Sequence, residues 1–171
     1  MSEGEHIKRV VIVRHAKSSW ANAGLADFDR PLNDRGNHDA PMIGKRLKAL
    51  GVQPELIISS TAKRARQTAK KISSELGYKK EDILLLDKLY HCHPDTFEEV
   101  IYGIEDSVKT VIIVAHNPGI TLFVNSLSYQ FSSANIPTCG VVVAEFTAKN
   151  WNEFNRVEKQ VVIFEYPKKQ S

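Results

Sequence analysis

Short runs of aliphatic residues alternate along this chain with longer segments in which apolar residues recur at helical spacing. Residues 10–13, 56–58 and 111–115 are uniformly apolar and rich in Val and Ile, which is typical of strands buried on both faces of a sheet. Between these runs, apolar residues return every three or four positions, as at Ile43 and Leu47. This alternation predicts an α/β fold, with three α/β/α layers around a mainly parallel central sheet.

The C-terminal part of the chain has a different pattern. Two apolar runs, residues 141–146 and 161–164, are separated by a polar stretch, which predicts a C-terminal antiparallel hairpin. The chain has 171 residues, enough for one core and rather few for two, so we expect a single domain over residues 1–171. The polar segments 1–7 and 167–171 are expected to be frayed.

Basic and imidazole side chains follow the three uniformly apolar runs. The first run ends in Arg14 and His15, the third ends in His116, and Arg64 follows the second in the first turns of the next helix. The carboxyl ends of parallel strands meet at one edge of a sheet, and ligands bind there. Each of these side chains also lies beside an expected helix N-terminus, which attracts anions. The pattern therefore predicts a site for a phosphoryl group.

Five segments, taken in order, resemble the motifs of the histidine phosphatase superfamily, which includes the cofactor-dependent phosphoglycerate mutases. The resemblance is closer to its SixA-type phosphohistidine phosphatase branch, and it runs from about residue 8 to the C-terminus. No single segment is specific, but the ordered set is. The segments are Arg14-His15-Ala16-Lys17-Ser18, Pro31-Leu32-Asn33-Asp34-Arg35-Gly36, Ser59-Ser60-Thr61-Ala62-Lys63-Arg64-Ala65-Arg66-Gln67-Thr68, His116-Asn117-Pro118 and Ile136-Pro137-Thr138-Cys139-Gly140.

The resemblance implies a hydrolase, a phosphohistidine phosphatase that works through a covalent phosphohistidine intermediate. It implies that His15 is the nucleophile that attacks phosphorus. Arg14 and Arg64 would hold the equatorial oxygens of the transferring group, and His116 would donate a further hydrogen bond to it.

Three short polar side chains near these positions are candidates for further phosphate contacts. They are Ser18, Ser19 and Asn117, the last through its backbone amide. Arg66 is two residues beyond Arg64, which on a helix points it to the other side, so we expect it to be a surface cation.

The chain departs from the superfamily pattern where other members carry an acid. Members that hydrolyse alkyl phosphates have a Glu or Asp after the third strand, but residues 89–94 contain no carboxylate. An alkoxide leaving group needs a general acid, whereas a phosphoramidate such as phosphohistidine departs without one. The absence favours a substrate with a P–N bond. The sequence leaves open whether a nearby side chain replaces the acid: His91, His93, Asp95 or Glu98.

Two other functions fit the same residues. A small-molecule phosphomonoesterase of the same superfamily would share the whole site. A non-catalytic phosphoprotein-binding module would keep Arg14 and Arg64 but would gain nothing specific from His15. Binding of zinc by the histidines is disfavoured because the two arginines would repel a dication, so we expect neither a metal nor a cofactor.

Composition narrows the choice of partner and location. The net charge is only +3 and no concentrated basic run is present, so we do not expect nucleic-acid binding. No segment has the roughly 20 apolar residues of a membrane span, and the N-terminus does not resemble a signal peptide. We therefore expect a cytoplasmic protein that acts, through an open site, on a phosphorylated protein or a small phosphorylated metabolite. The sequence does not indicate an oligomeric state.

Overall fold

A six-stranded mixed sheet forms the centre of the computed structural model, which describes residues 2–170. The strand order is β3-β2-β4-β1-β5-β6. The first four in this order are parallel, and the last two are antiparallel and form the C-terminal hairpin. The predicted α/β class is therefore confirmed. The strands are β1 (His6–Arg14), β2 (Leu56–Ser60), β3 (Leu84–Leu86), β4 (Thr110–Ala115), β5 (Val141–Ala148) and β6 (Gln160–Glu165).

Four helices cover the two faces of the sheet: α1 (Asp34–Ala49), α2 (Lys63–Glu75), α3 (Pro94–Tyr102) and α4 (Gly119–Asn125). Helices α1 and α2 pack on one face, and α3 and α4 pack on the other together with a 3₁₀ helix at Trp151–Arg156. Successive residues of β1 divide between the two cores. Val10 and Ile12 belong to one, Val11 and Val13 to the other. A strand with both faces buried needs no polar alternation, which explains its uniformly apolar sequence.

A fully buried lysine lies near the start of the same strand. Nζ of Lys8 donates hydrogen bonds to the carbonyl oxygens of Asp106 at 3.0 Å and Val108 at 3.4 Å. The ammonium group also lies 5.0 Å from the ring centroid of Trp151. Buried charges are tolerated when they are partnered, and this one is held by carbonyl oxygens and an aromatic ring.

Both chain ends are more ordered than the expected fraying. Residues His6 and Ile7 already belong to β1 and lie opposite Ala148 and Thr147 of β5. Near the C-terminus, Arg46 of α1 donates to the carbonyl oxygens of residues 166 and 167, at 2.9 and 3.2 Å. Local polarity did not reveal these long-range contacts. Met1 and Ser171, which were included in the frayed segments, lie outside the described residues.

The parallel strands bring their carboxyl ends to one edge of the sheet. β1 and β4 are in register through Arg14 opposite Ala115, and β2 lies on the other side of β4. Chain segments that follow three different strands therefore converge at this edge. Between residues 2 and 170, no helix combines the length and the hydropathy needed to cross a bilayer.

Candidate active site

His15 continues the sheet by one residue beyond β1 and is held on both sides. Its backbone N–H donates to the carbonyl of Ala115 at 3.1 Å, and its own carbonyl accepts from Cys139 at 3.0 Å. The ring atom Nδ1 lies 2.7 Å from the carbonyl oxygen of Ala16. A carbonyl only accepts, so Nδ1 carries the proton and Nε2 keeps its lone pair. This tautomer is the one that a nucleophilic Nε2 requires.

The ring of His15 is neutral as well as oriented. Burial is the main cause that lowers its pKa to about 3; the positive charges of Arg64 and Arg14 contribute to this shift, and the bond to the Ala16 carbonyl opposes it. Only 8% of the residue is exposed. Nε2 of His15 therefore stays unprotonated throughout the physiological pH range.

Arg64 lies in the first turn of α2 with its guanidinium beside the ring of His15. Nε is 3.4 Å from Nε2 of His15, while Nη1 and Nη2 donate to the carbonyl and carboxylate of Asp27 at 2.7 and 3.0 Å. One turn further along, the hydroxyl of Thr68 donates to the Arg64 carbonyl at 2.7 Å and accepts from the N–H of Ala16 at 2.9 Å. Thr68 thus ties α2 to the segment that follows His15.

Arg14 and His116 each contain a buried nitrogen without a hydrogen-bond partner. Nη1 of Arg14 donates to the Ile136 carbonyl at 2.8 Å, but its Nε is unpaired. Nε2 of His116 lies 2.8 Å from Oγ of Ser60, and its Nδ1 is unpaired. Among residues 2–170, these are the buried side-chain nitrogen or oxygen atoms that lack a partner. Such atoms are costly, and an anionic ligand that reached them would supply the missing acceptors.

The ring of His116 lies beside the ring of His15. The centroids of His15 and His116 are 5.1 Å apart. Burial lowers the pKa of His116, and the neighbouring His15 and Arg64 lower it further. The imidazole is therefore neutral without a bound anion, and an anion beside it would favour the protonated form.

Asp27 is a site residue that the sequence analysis missed. It begins a 3₁₀ helix, Asp27–Asp29, in the loop between β1 and α1. Its carboxylate accepts from the hydroxyl of Tyr90 at 2.5 Å and from Nη1 of Arg30 at 2.9 Å, in addition to Arg64. Burial alone would raise its pKa, but these hydrogen bonds and the charge of Arg64 hold the pKa well below the usual range. The group is an ionised acceptor and not a proton donor.

A cavity of about 170 Å³ opens at this end of the sheet. It is smaller than the roughly 300–1,000 Å³ of pockets that enclose a whole small molecule. It therefore suits a phosphoryl group whose carrier remains largely outside. The lining residues are Arg14, His15, Lys17, Ser18, Trp20, Arg30, Arg64 and Thr138.

The three secondary candidates occupy different positions. Ser18 lines the cavity, and its hydroxyl accepts a hydrogen bond from Arg30. Ser19 lies outside the lining, with its hydroxyl bound to the N–H of Ala21 at 3.1 Å. The side chain of Asn117 donates to the Ile136 carbonyl at 3.0 Å, the same oxygen that Arg14 uses. Asn117 thus supports the loop against which Arg14 rests.

Among the four candidates for a general acid, His91 contacts the site residue Asp27. Its Nε2 is 3.4 Å from the carboxylate of Asp27, and its ring centroid is 6.1 Å from that of His116. Its backbone is in the left-handed region, with φ of 53°. His93 precedes α3, Asp95 lies in the first turn of that helix, and Glu98 accepts a hydrogen bond from Tyr102.

Metal binding has no cluster of ligands to support it in the described part of the chain. Between residues 2 and 170, no three His, Cys, Asp or Glu side chains are grouped so that they could hold an ion.

Comparison with known proteins relates this geometry to a family. Residues 10–100 match the model of the histidine phosphatase superfamily, branch 1. An uncharacterized protein of Mycobacterium leprae is 31% identical over 167 residues, which cover 91% of this chain and all of that protein. The match thus extends over the complete relative.

Solved structures share the fold. The provisionally assigned phosphohistidine phosphatase SixA of Agrobacterium tumefaciens superposes with a TM-score of 0.78 and 28% identity, covering 94% of this chain and 98% of that one. A mycobacterial glucosyl-3-phosphoglycerate phosphatase superposes with a TM-score of 0.62 over 92% of this chain and 98% of that one. Its identity of 16% indicates a shared fold alone.

The family model covers more than half of the chain, and it includes the segments that carry Arg14, His15 and Arg64. The resemblance inferred from the motifs is therefore confirmed. The chain belongs to the histidine phosphatase superfamily and is a phosphatase of the hydrolase class.

Proposed function

We propose that the chain is a phosphohistidine phosphatase that transfers a phosphoryl group from a substrate imidazole to His15 and then to water. The observation that carries this proposal is the bonding of Asp27, whose carboxylate accepts hydrogen bonds from Arg64, Arg30 and Tyr90, an arrangement that favours its ionised form. Asp27 is the carboxylate bound to Arg64 beside the nucleophile, and its hydrogen bonds keep it from donating a proton. Without a carboxylic acid, leaving groups that depart easily are favoured.

In the first step, the Nε2 lone pair of His15 attacks phosphorus and the P–N bond of the substrate breaks. The leaving imidazole keeps the electron pair of that bond and takes a proton from solvent. Arg14, Arg64 and His116 stabilise the charge on the equatorial oxygens, and the unpaired nitrogens of Arg14 and His116 gain acceptors there. Asp27 keeps the guanidinium of Arg64 in position during the transfer.

In the second step, water attacks the phosphohistidine formed on His15. The P–N bond to Nε2 breaks, inorganic phosphate leaves, and the water proton is released to solvent. The ring returns to its neutral form with Nδ1 still bound to the Ala16 carbonyl. The same groups that stabilised the first transfer are in place for the second.

A phosphorylated protein is the substrate we favour because the cavity accommodates little more than the phosphoryl group. A histidine on a protein surface could enter this site while its backbone stays outside. The provisional assignment of the Agrobacterium relative points to the same substrate class. We place the activity in the cytoplasm, where phosphorylated signalling proteins occur.

A second function, hydrolysis of a small phosphomonoester, is favoured by the position of His91. In the doubly protonated ring of His91, Nε2 donates to Asp27 and the proton on Nδ1 can pass to a leaving oxygen. The phosphatase of a glucosyl-3-phosphoglycerate shares the fold and illustrates this class of substrate.

The proposal is tested by trapping the intermediate. The protein is mixed with a ³²P-labelled phosphohistidine peptide, quenched in base after milliseconds to seconds, and digested. We expect acid-labile, base-stable label on the peptide that contains His15, and inorganic phosphate at longer times. Labelling of another residue, or release of phosphate from a phosphomonoester but not from phosphohistidine, would overturn the proposal.

A further inference from the structure

A large aromatic side chain lies exposed at the rim of the cavity. Trp20 belongs to the loop between β1 and α1 and is 75% exposed, although it contributes to the cavity wall. The guanidinium carbon of Arg30 lies 3.3 Å from the centre of its ring, so Arg30 covers one face of the indole. The other face is therefore available to solvent.

The support beneath this indole is fixed in place. Only 7% of Arg30 is exposed. Its Nε donates to the carbonyl of Ser19 at 3.0 Å, its Nη1 donates to Asp27 at 2.9 Å, and its Nη2 binds the hydroxyl of Ser18. Because every end of the guanidinium is bound, the stacked indole is held at a defined place beside the cavity. Holding an aromatic side chain in this way reduces the conformational entropy lost when a ligand binds it.

We propose that the exposed face of Trp20 is a subsite that stacks on the planar leaving group of the substrate. The inference rests on the proposed function, in which that group is the imidazole ring of phosphohistidine. A phosphoryl group in the cavity places its attached ring at the rim, where Trp20 lies. A flat ring gains stacking contacts there that an alkyl or amino leaving group does not. Trp20 is thus a residue that determines specificity for ring-bearing phosphoryl donors.

Two substrates with the same type of bond isolate this contribution. A phosphohistidine peptide and phosphoramidate both contain a P–N bond, but only the first contains a ring. We expect Trp20→Ala to lower kcat/KM for phosphohistidine by about two- to tenfold. The loss for phosphoramidate should be smaller by about twofold or more. Trp20→Phe, which keeps an aromatic ring, should recover most of the difference.

Tyr129→Ala provides a matched control. Tyr129 is fully exposed, and it lies in a separate, wider groove formed in part by residues 125–132. The substitution removes an exposed aromatic ring at a position remote from the cavity, so the ratio of the two kcat/KM values should stay at the wild-type value. Circular dichroism and thermal unfolding of all three variants check that the fold is kept.

Equal losses on both substrates would overturn the inference, because Trp20 would then act only by shaping the loop. Failure of the wild-type protein to act on either P–N substrate would overturn the proposed function instead. The subsite is then tested on its own with phenyl phosphate and methyl phosphate. A larger loss on the phenyl ester in Trp20→Ala supports the stacking role, and an equal loss overturns it.

Discussion

The two ends of strand β1 each carry a cation, and the two cations are partnered differently. Lys8, near the first end, is fully buried, and its ammonium group is bound by two carbonyl oxygens and an indole ring. Arg14, at the last end, donates to one carbonyl and leaves its buried Nε unpaired. The partnered cation stabilises the fold, whereas the incompletely partnered one is ready to bind an anion.

The contrast extends beyond this strand. Leaving a buried polar group unpaired costs about 1–3 kcal/mol of folding free energy. The chain bears this cost twice, at Arg14 and at His116, and both residues lie beside His15. Such a concentration of unpaired atoms is typical of functional sites, where stability is sacrificed for ligand binding. Substitutions at the two ends of β1 should therefore separate stability from activity.

The largest effect is expected at His15, the proposed nucleophile. His15→Ala should lower kcat/KM by about 10³-fold or more, because no covalent intermediate can form. The protein should still fold, since the core of β1 is made by residues 10–13. Turnover of a phosphohistidine peptide measures the effect. His38→Ala, on the exposed face of α1, is the matched control and should retain wild-type turnover. Turnover of His15→Ala within a few-fold of wild type would show that the nucleophile is another residue.

The next effect concerns the leaving group. Phosphohistidine or phosphoramidate should be hydrolysed best, an activated aryl phosphate less well, and an alkyl phosphate about 10²–10⁴-fold more slowly, because that is the contribution of a general acid. Values of kcat/KM at one pH give the ranking. If an alkyl phosphate is hydrolysed as fast as phosphohistidine, a group such as His91 acts as the general acid. Asp27→Asn would then test whether the contact between Asp27 and His91 is needed for that role.

A pair of substitutions tests the comparison between Lys8 and Arg14 directly. Arg14→Gln should lower kcat/KM by about 10²-fold, because a donor to the transition state is lost, without lowering the unfolding free energy. Lys8→Met should leave kcat/KM unchanged and lower the unfolding free energy by about 1–3 kcal/mol, because two carbonyls lose their donor. Urea unfolding and steady-state kinetics measure both quantities. The reverse pattern would mean that partnering does not distinguish the two roles.

The smallest effect is on the pH dependence of stability. His15 has a folded-state pKa of about 3, well below the roughly 6.5 of an unfolded histidine, so acid protonates the unfolded chain first. Stability contributed by the neutral ring is complete above pH 6.5 and is lost as the pH falls towards 3. Between pH 7 and pH 5, His15→Ala should lose about 2 kcal/mol less unfolding free energy than the wild type does. If the unfolding free energy falls equally with pH in the wild type and in His15→Ala, then His15 is accessible to protons in the folded state.

The sequence patterns were sufficient to predict the positions of the site residues that follow strands. The uniformly apolar runs predicted β1, β2 and β4, and the convergence of their carboxyl ends accounts for the meeting of His15, Arg64 and His116. Buried strands can be recognised from a short stretch of sequence, and parallel strands place their carboxyl ends at the same edge of a sheet. For this reason the predicted arrangement agrees with the observed one.

The roles of residues in the loop between β1 and α1 could not be predicted from such patterns. Residues 15–33 have no periodicity. The role of Asp27 depends on contacts with distant segments, and the contact between Trp20 and Arg30 depends on the irregular path of the loop itself. The hydrogen bond from Tyr90 to Asp27 joins residues 63 positions apart. The length of the loop was the available signal, since long irregular loops in compact folds are often functional. Asn117 shows the opposite case, because a polar residue beside the site holds a loop instead of facing the cavity.

The two unpaired nitrogens also bear on how the catalytic cycle ends. Inorganic phosphate offers them the same oxygen acceptors as the substrate does, so the reaction product fits the cradle that accelerates its formation. A site that is preorganised to bind the phosphoryl group therefore also binds the phosphate product. We therefore expect turnover to slow as the concentration of free phosphate rises, because release of the product becomes less favourable.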